Sequence, residues 1–345
     1  MTPSCDPAVW FPAIRAGSGT DVFTERLAAG LQQRGIRAEI TWLPHRAEYA
    51  PWTVAKPKPP AWANIAHVNT WLPPYFLPRG MPIIATMHHC VHDPALTPYK
   101  GLLQALYHRL SIYHLEKQVL RRADAITAVS HYTVKPTQMA FGIGPIRVIH
   151  NGIDFDGLFH SASKNKPNHP FRLLFVGNSS RLKGFDLLFP ILERLGADFE
   201  LWITADSPKT QKLHSHNLRF LGTRLPIEEI ARCYQQADAL LFPSRLEGFG
   251  LAALEAQACG LPVIATRGSS LPEVIEDGAT GILCPQDDIE AFADAACRLA
   301  SDIGLWQAMR TAARIRVLSH FSLDAMINDY LDMYRICLSS DYGPG

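Results

Sequence analysis

The chain has 345 residues, 47% of them hydrophobic and 19% charged, which is typical of a globular protein long enough for two domains. Its formal net charge of +1 gives no electrostatic basis for binding nucleic acid. The seven cysteines lack a Cys-x-x-Cys pair, the N-terminus lacks a signal-peptide pattern, and no apolar run reaches about 18 residues, so we expect a cytoplasmic protein without a disulfide framework, structural zinc or a membrane span.

Strand-like apolar runs alternate with helical patterns along the chain, which predicts parallel α/β layers. A stretch rich in proline and aromatic residues, 44–60, interrupts the pattern in the first half. The strands predicted in this half are 9–14, 38–42, 65–68, 83–87, 125–129 and 146–149, and the helices are 21–34 and 100–121.

A short glycine motif, Gly17-Ser18-Gly19-Thr20, lies between the first predicted strand and the first predicted helix. It is a poor dinucleotide fingerprint because Val22 stands where the third glycine should be. On its own the motif is typical of an ordinary strand-to-helix turn, which remains the alternative to a role in binding.

Three histidines follow the strand 83–87, namely His88, His89 and His92. Their spacing lacks a carboxylate-bearing zinc pattern, so we predict no metal site. A single histidine after a strand is more often a packing or surface residue than a catalytic one.

The polar residues of 161–170 predict a domain boundary between residues 165 and 166. The alternation of strands and helices resumes after this stretch. The strands predicted there are 172–176, 200–204, 218–221, 239–242, 263–266 and 281–283, and the helices are 186–195, 227–236, 251–259, 289–301, 303–318 and 323–338.

The most informative segment runs from Pro243 to Pro262. It joins a strand end, a glycine-rich turn, a helix start and the two carboxylates of Glu247 and Glu255. Main-chain amides at a glycine turn and at a helix N-terminus suit a phosphate group. If one helix ran from Glu247 to Glu255, the carboxylates would lie about 12 Å apart along its axis, too far for the pair of a glycosidase. We therefore expect them to contact two ends of one elongated ligand.

The segment Glu247-Gly-Phe-Gly, with Glu255 and then Gly260-Leu-Pro, resembles the signature of retaining GT-B glycosyltransferases of family 4, the glycosyl transferases of group 1. Together the similar parts cover nearly the whole chain from about residue 17 onward. Further segments similar to that family are Asn-Gly-Ile-Asp at 151–154, the loop at 176–188, the strand lead-in at 122–130, and Phe-Ser at 321–322 with the final helix.

The resemblance implies two Rossmann-like α/β domains that face each other across a cleft. The acceptor-binding domain would comprise residues 1–165 and a C-terminal helix at about 323–340 that crosses back to it. The nucleotide-sugar-binding domain would comprise residues 166–322.

The resemblance also implies roles for individual residues. His88 would contact the transferred sugar, Glu247 would hold sugar hydroxyls, and Glu255 would accept from the ribose. Lys183 would face the diphosphate, and so would Arg181, although Asn178 stands where the family has its arginine and an exposed surface role for Arg181 is the alternative. The residues implied to bind the donor are Gly17, Gly19, Gly177, Asn178, Gly248, Phe249, Gly250, Leu251 and Glu255.

The function implied is transfer of a hexose from a nucleotide diphosphate sugar, without metal or cofactor, to a glycan or lipid-linked acceptor in bacterial surface polysaccharide or lipopolysaccharide synthesis. The first half is also dense in aromatic residues interleaved with basic ones such as Lys56, and these would either touch a membrane surface, stack on acceptor sugars or pack on their own domain. The aromatic residues are Trp42, Tyr49, Trp52, Trp62, Trp71, Tyr75 and Phe76. Two alternatives stay open: a non-catalytic subunit that binds nucleotide sugar, and an epimerase or hydrolase of the same fold.

Overall fold

The computed structural model describes residues 6–154, 157–205, 216–223 and 225–339. Contacts between Cα atoms divide the chain into two compact units. Unit 1 runs to Gly152 and resumes at Leu323, and unit 2 is Ile153–Ser322. Each unit has a six-stranded sheet whose strands are all parallel, as expected for α/β layers.

The sheet of unit 1 has the strand order β2-β1-β3-β4-β5-β6. Its strands are β1 Val9–Ile14, β2 Ala38–Leu43, β3 Ile65–Asn69, β4 Ile83–Met87, β5 Ala125–Ala128 and β6 Arg147–Val148. Its α-helices are α1 Gly19–Gln33, α2 Leu102–Tyr107, α3 Tyr113–Arg122, α4 His131–Phe141 and, after unit 2 in the chain, α11 Leu323–Leu338.

The sheet of unit 2 has the strand order β12-β11-β10-β7-β8-β9. Its strands are β7 Phe171–Phe175, β8 Phe199–Ile203, β9 Leu218–Phe220, β10 Ala239–Phe242, β11 Val263–Thr266 and β12 Gly281–Cys284. Its α-helices are α5 Leu188–Leu195, α6 Ile227–Gln236, α7 Leu251–Ala258, α8 Leu271–Val274, α9 Ile289–Ser301 and α10 Ile303–His320.

The C-terminal helix α11 is held on unit 1 by a buried polar network as well as by apolar packing. His67 contacts the hydroxyl of Tyr334 at 2.6 Å and that of Thr86 at 2.7 Å. Tyr330 packs against His67 with ring centroids 5.1 Å apart. Burial lowers the pKa of His67 to about 3, so this histidine is neutral in the folded unit.

The observed helices differ from the predicted ones at 100–121 and at α4, and the short helix α8 was also not predicted. The helix predicted at 100–121 is observed as α2, a π-helical turn at His108–Ile112, and α3. Helix α4 was not predicted, and it contains Pro136 in its second turn, where proline is normally unfavourable. Its ends nonetheless carry ordinary signals, since Ser130 caps the first turn through the amide of Thr133 and Gly142 ends the helix in the left-handed conformation.

The division into units falls after Gly152, ahead of the boundary predicted between residues 165 and 166. The polar residues that suggested a linker are bound to unit 2. Asp238 accepts from the ammonium of Lys164 and from the amide nitrogen of Asn168, and the guanidinium of Arg310 donates to the carbonyl of Ala162 at 3.0 Å. The polar residues of 161–170 therefore serve to pair a buried charge of unit 2, and they do not form a flexible linker.

Candidate functional site

The loops that carry the predicted charged residues of unit 2 follow strands β7 and β10. These two strands are hydrogen-bonded neighbours, although β8 and β9 lie between them in the sequence. The strand order changes direction between them, and in open α/β sheets ligands bind beyond the carboxyl ends of the strands at such a point. The topology therefore places residues 176–184 and 243–250 at the expected binding edge.

Main-chain contacts join the two loops. The amide of Arg245 donates to the carbonyl of Leu182 at 2.9 Å, and the hydroxyl of Ser244 donates to the same oxygen at 3.4 Å. Gly184 has a φ of +71°, and a Cβ at this position would collide with the carbonyl oxygen of Pro243. Only glycine allows this close approach.

The joined loops bring Lys183 and Glu247 together. The ammonium of Lys183 donates to Oε1 of Glu247 at 2.6 Å. The backbone of Glu247 is fixed on the other side, because its amide donates to Ser269 Oγ at 3.0 Å and its carbonyl accepts from Ser270 Oγ at 3.0 Å. A cation and a carboxylate predicted to bind neighbouring parts of one ligand thus share one location.

Arg245 positions this site, although the sequence suggested no role for it. Its side chain is 4% exposed, forms two hydrogen bonds to Asp186 at 2.7 and 2.9 Å, and donates to Asp287 at 2.6 Å. Burial raises the pKa of Asp186, but the hydrogen bonds and charge of Arg245 outweigh it and hold that pKa below its usual value. The guanidinium therefore clamps the loop of Lys183 to the loop of Glu247.

Three other predicted residues lie on the first loop. Arg181 is 76% exposed, with its Nε 3.8 Å from Asp186 Oδ2. Asn178 accepts a hydrogen bond from the amide of Ser180 at 3.2 Å, and the amide of Gly177 donates to Thr204 Oγ1 at 3.3 Å. Arg181 is thus an accessible charge, whereas Asn178 and Gly177 shape the turn.

The glycine turn ahead of α7 contains the remaining predicted donor residues. Gly250 has a φ of +99°, and a Cβ there would lie 2.9 Å from the side chain of Leu271. Leu251 begins α7, and Gly248 precedes the buried Phe249, whose ring packs on Phe321 with centroids 5.8 Å apart. Because that ring is used in packing, a donor contact at Phe249 would come from its main chain.

Glu255 lies one turn into α7, where it is partly exposed and accepts from the hydroxyl of Tyr234 at 3.2 Å. Glu247 lies before α7 begins, in the turn. The two carboxylates are therefore carried by different kinds of structure, and the spacing calculated for a single continuous helix does not apply.

Unit 1 has a cavity of about 410 Å³ at the equivalent place in its own sheet. The strand order of unit 1 changes direction between β1 and β3, and the cavity lies at the carboxyl ends of β1, β3 and β4, next to the start of α1. Its lining includes Ile14, Ser18, Asp21, His45, Glu48, Asn69, Thr70, Trp71, His88, His89 and Val91.

His88 lies at this cavity as a neutral group. Burial lowers its pKa to about 3, and its ring packs edge-on against Phe23 with centroids 4.6 Å apart. Its Nε2 lies 2.8 Å from Oδ1 of Asn69. A carbonyl oxygen only accepts, so Nε2 carries the proton and Nδ1 is left as an acceptor. Asn69 was missed by the sequence analysis, although it ends the strand next to the one that precedes His88.

The glycine motif of unit 1 is occupied by an internal carboxylate. The amides of Ala16 and Gly17 donate to Asp21 Oδ2 at 3.0 and 2.7 Å. Gly17 has a φ of +66°, and Gly19 is the first residue of α1, two residues ahead of the predicted start. In this structure Asp21 takes the place at these amides that the resemblance gives to a phosphate.

A second buried carboxylate supports the cavity wall. Glu116 is fully buried, accepts from the hydroxyl of Thr70 at 3.0 Å, and lies 3.2 Å from Nε2 of His92. Burial raises the pKa of Glu116. The short distance shows that the ring of His92 faces Glu116 and not the cavity of unit 1. Because Thr70 and Trp71 line the cavity, Glu116 fixes that wall from behind.

Among the helices of the described residues, none combines the length and the apolar character that crossing a bilayer requires.

Comparison with protein families gives two matches, one within unit 2 and one that covers part of unit 1 and extends to residue 156. Residues 170–302 match the model described as "Glycosyl transferases group 1", and residues 55–156 match the model described as "Glycosyltransferase Family 4".

A curated relative from Klebsiella pneumoniae, "Uncharacterized 41.2 kDa protein in cps region", is 30% identical over 232 residues, which is 64% of this chain and 64% of that protein. The sucrose-phosphate synthase of Thermosynechococcus elongatus aligns over 98% of this chain and 100% of its own, with a TM-score of 0.78 and 19% identity. The Anabaena protein HepE, solved in complex with UDP and glucose, aligns over 95% of this chain and 99% of its own, with a TM-score of 0.68 and 17% identity. Both solved structures are similar to this chain in fold.

Proposed function

Because the chain belongs to the group 1, family 4 glycosyltransferases and has their GT-B fold of two α/β units, as its sequence predicted, we propose that it transfers a hexose from a nucleoside diphosphate sugar to a hydroxyl of a glycan or lipid-linked acceptor. We further propose that the anomeric configuration is retained and that the reaction needs no metal. Synthesis of a bacterial surface polysaccharide or lipopolysaccharide is the process in which we place it.

One observation carries the proposal: Lys183 and Glu247 meet at 2.6 Å on loops that Arg245 and Gly184 hold together at the binding edge of unit 2. A cation here can approach the diphosphate, where negative charge grows as the sugar leaves. The carboxylate can accept hydrogen bonds from hydroxyls of the sugar. Preorganised charges of this kind are the largest single contribution to many enzymatic rate enhancements.

The proposed chemistry exchanges one bond to the anomeric carbon for another. The acceptor oxygen forms its bond on the face from which the β-phosphate oxygen departs, and the acceptor proton passes to that phosphate oxygen. The products are the glycosylated acceptor and a nucleoside diphosphate. Glu247 and Lys183 position the sugar and stabilise the leaving group, and neither forms a bond to carbon.

His88 fits a contact with the transferred sugar because it is neutral. With its Nε2 proton donated to Asn69, its Nδ1 can accept from a sugar hydroxyl, and no charge is buried. Glu255 is proposed to accept from the ribose, and Gly177 and the amides that begin α7 to face the phosphates. The solved relative that holds UDP supports a uridine nucleotide as the first donor to test.

The experiment begins by measuring the thermal stability of the protein with UDP-, GDP-, ADP- and dTDP-sugars, since a ligand that binds the folded state raises the melting temperature. Release of nucleoside diphosphate from the stabilising donor is then measured with a bacterial lipid extract as the acceptor source. We expect Glu247→Ala to abolish this release without lowering the melting temperature. Glu290→Ala, at a glutamate that is 72% exposed in the same unit, is the matched control. Turnover by Glu247→Ala equal to that of the parent protein would overturn the proposal.

A further inference from the structure

Helix α2 exposes apolar side chains that nothing in the described structure covers. None of its six residues is buried, and Leu102 and Leu103 are 91% and 84% exposed. Leu106 and Leu110, one and two turns further on, are 53% and 60% exposed. Four leucines in nine residues form a continuous apolar patch, which we call the leucine patch. A helix with apolar side chains on its exposed faces is normally covered by another surface.

The leucine patch lies in a segment with positive charge only. Between Pro94 and Leu115 the chain carries Lys100 and Arg109 but neither aspartate nor glutamate. Arg109 is exposed and directly precedes Leu110. Leucines that enter the acyl region and cations at headgroup level are the features of helices that lie in the surface of an anionic bilayer.

The same segment borders the cavity of unit 1. The hydroxyl of Tyr107 donates to Glu48 Oε1 at 3.3 Å, and the ammonium of Lys100 donates to the carbonyl of Val91. The rings of His108 and Trp71 have centroids 6.1 Å apart. Because Glu48, Val91 and Trp71 line the cavity, three contacts connect it to the segment that carries the leucine patch.

Exposed aromatic side chains lie on the neighbouring loop. Tyr49 is 58% exposed and directly follows Glu48, and Trp52 is 74% exposed. Tyrosine and tryptophan are enriched where an apolar phase meets water. Leucine, in contrast, is under-represented among the residues that dominate protein–protein binding energy, so the composition favours a bilayer over a partner protein.

We propose that the leucine patch docks unit 1 on an anionic bilayer surface and that the adjoining cavity takes the head of an amphiphilic acceptor whose tail stays in the bilayer. The docking part stands on the exposure, charge and composition of α2. The acceptor part rests on the proposed function.

The test is sedimentation of the whole protein with vesicles of phosphatidylcholine and phosphatidylglycerol in equal amounts, and with vesicles of phosphatidylcholine alone. We expect binding to the mixed vesicles, weaker at high salt. The triple substitution Leu102→Ser, Leu103→Ser, Leu106→Ser should lower the partition coefficient tenfold or more, because burying a single leucine is worth about tenfold or more in an equilibrium constant. Arg109→Gln should lower it about fivefold on mixed vesicles only.

Ile315→Ser is the matched control, since Ile315 is 58% exposed on a helix of unit 2 and its loss should leave binding unchanged. Donor-induced thermal stabilisation is measured for every variant. If it is retained while the wild-type protein fails to sediment with mixed vesicles, the docking proposal is overturned and the proposed function stands. If it is absent while vesicle binding depends on the leucines, the proposed function fails and the docking proposal stands.

Two further results would overturn docking. One is equal sedimentation of the wild-type protein and the triple variant. The other is a wild-type dimer that the triple substitution converts to a monomer in size-exclusion chromatography, because a second copy of the chain would then cover the patch.

Discussion

The two units have their candidate sites at the same topological position in the sheet, but the sites consist of different kinds of side chains. In unit 2 the site consists of charges that bind each other, Lys183 with Glu247 and Arg245 with Asp186. In unit 1 it is a cavity with a histidine that burial keeps neutral and an apolar wall that includes Ile14 and Val91, although Asp21 and Glu48 also line it.

The contrast indicates two kinds of recognition. A diphosphate carries charge that must be met by cations and amides, which favours a fixed set of charged residues and glycines. A hydroxyl that must be aligned for reaction needs shape and neutral hydrogen-bonding groups instead. We therefore expect charge substitutions in unit 2 to act on donor binding and turnover, and the pH dependence of stability to arise mainly in unit 1.

After Glu247→Ala, the largest effect is expected from Lys183→Ala. Loss of the cation from the proposed diphosphate site should lower kcat about 10²- to 10³-fold, as removal of one electrostatic contact to a transition state does in other enzymes. The measurement is steady-state release of nucleoside diphosphate, with Lys166→Ala, at an exposed lysine of the same unit, as control. An unchanged kcat would mean that the charge of unit 2 does not serve the reaction.

A smaller effect is expected from Gly184→Ala, which pushes the two loops of unit 2 apart. The left-handed conformation costs an L-residue about 1–2 kcal/mol, and the new Cβ also meets the backbone of Pro243. Gly142→Ala is the matched control, because Gly142 has a similar conformation, with φ of 61° and ψ of 38°, and no heavy atom within 4 Å of its Cβ position.

Both glycine variants should lose stability by denaturant unfolding, but only Gly184→Ala should also weaken binding of the nucleoside diphosphate. If both variants bind the nucleoside diphosphate with equal affinity, the contact between the loops is not what positions the donor site.

The sequence predicted the strands of both units to within one residue at each end, because parallel strands buried on both faces give continuous apolar runs. It also indicated Glu247, through the glycines around it, and Lys183, through the resemblance to the glycosyltransferase family. It did not indicate Arg245, Asn69 or Glu116. A buried arginine and a buried glutamate look like surface residues in a sequence, and only the fold shows which partners they meet.

The aromatic residues of the first half, for which the sequence left a membrane contact open, are also less exposed than the most exposed apolar residues of unit 1. Trp62 and Trp71 are only partly exposed, and Phe76 is buried, whereas the most exposed large apolar residues of unit 1 are Leu102 and Leu103. A leucine in a predicted helix is assigned to the core by default. The π-helical turn after α2 and the exposure of its leucines could not be inferred from the periodicity of the sequence.

The pH dependence of stability should also distinguish the two units. The expected effect is smaller than that of the substitutions above and larger than that of Arg181→Ala below. The folded pKa of His67 and of His88 is about 3, below the ordinary value of 6.5, so the unfolded chain binds more protons between these values. The contribution of these two histidines to stability should therefore be full above pH 6.5 and fall as pH decreases through this window, by up to about 1.4 kcal/mol per pH unit for each histidine. Glu116, whose pKa is raised, acts in the opposite sense above 4.5.

His88→Gln removes one of these titrations and keeps a donor for Asn69. The free energy of unfolding, measured with urea at pH 5.0, 6.0 and 7.0, should depend less steeply on pH in this variant. A slope equal to that of the parent protein would contradict the assignment of a buried neutral histidine. In unit 2 the pKa of Asp186 is lowered, so its contribution is lost only below pH 3.8, outside this window.

The smallest effect is expected from Arg181→Ala, which tests how far the charge of unit 2 extends beyond the clamped residues. Arg181 is 76% exposed and 3.8 Å from Asp186, so solvent screens its charge and its removal should cost a diphosphate less than about 1 kcal/mol. Calorimetry should give a two- to fivefold weaker affinity for UDP and an unchanged affinity for uridine, because only the former carries the phosphates. Equal losses for both ligands would place Arg181 at the nucleoside, and no loss for either would confine the phosphate site to Lys183 and the main-chain amides.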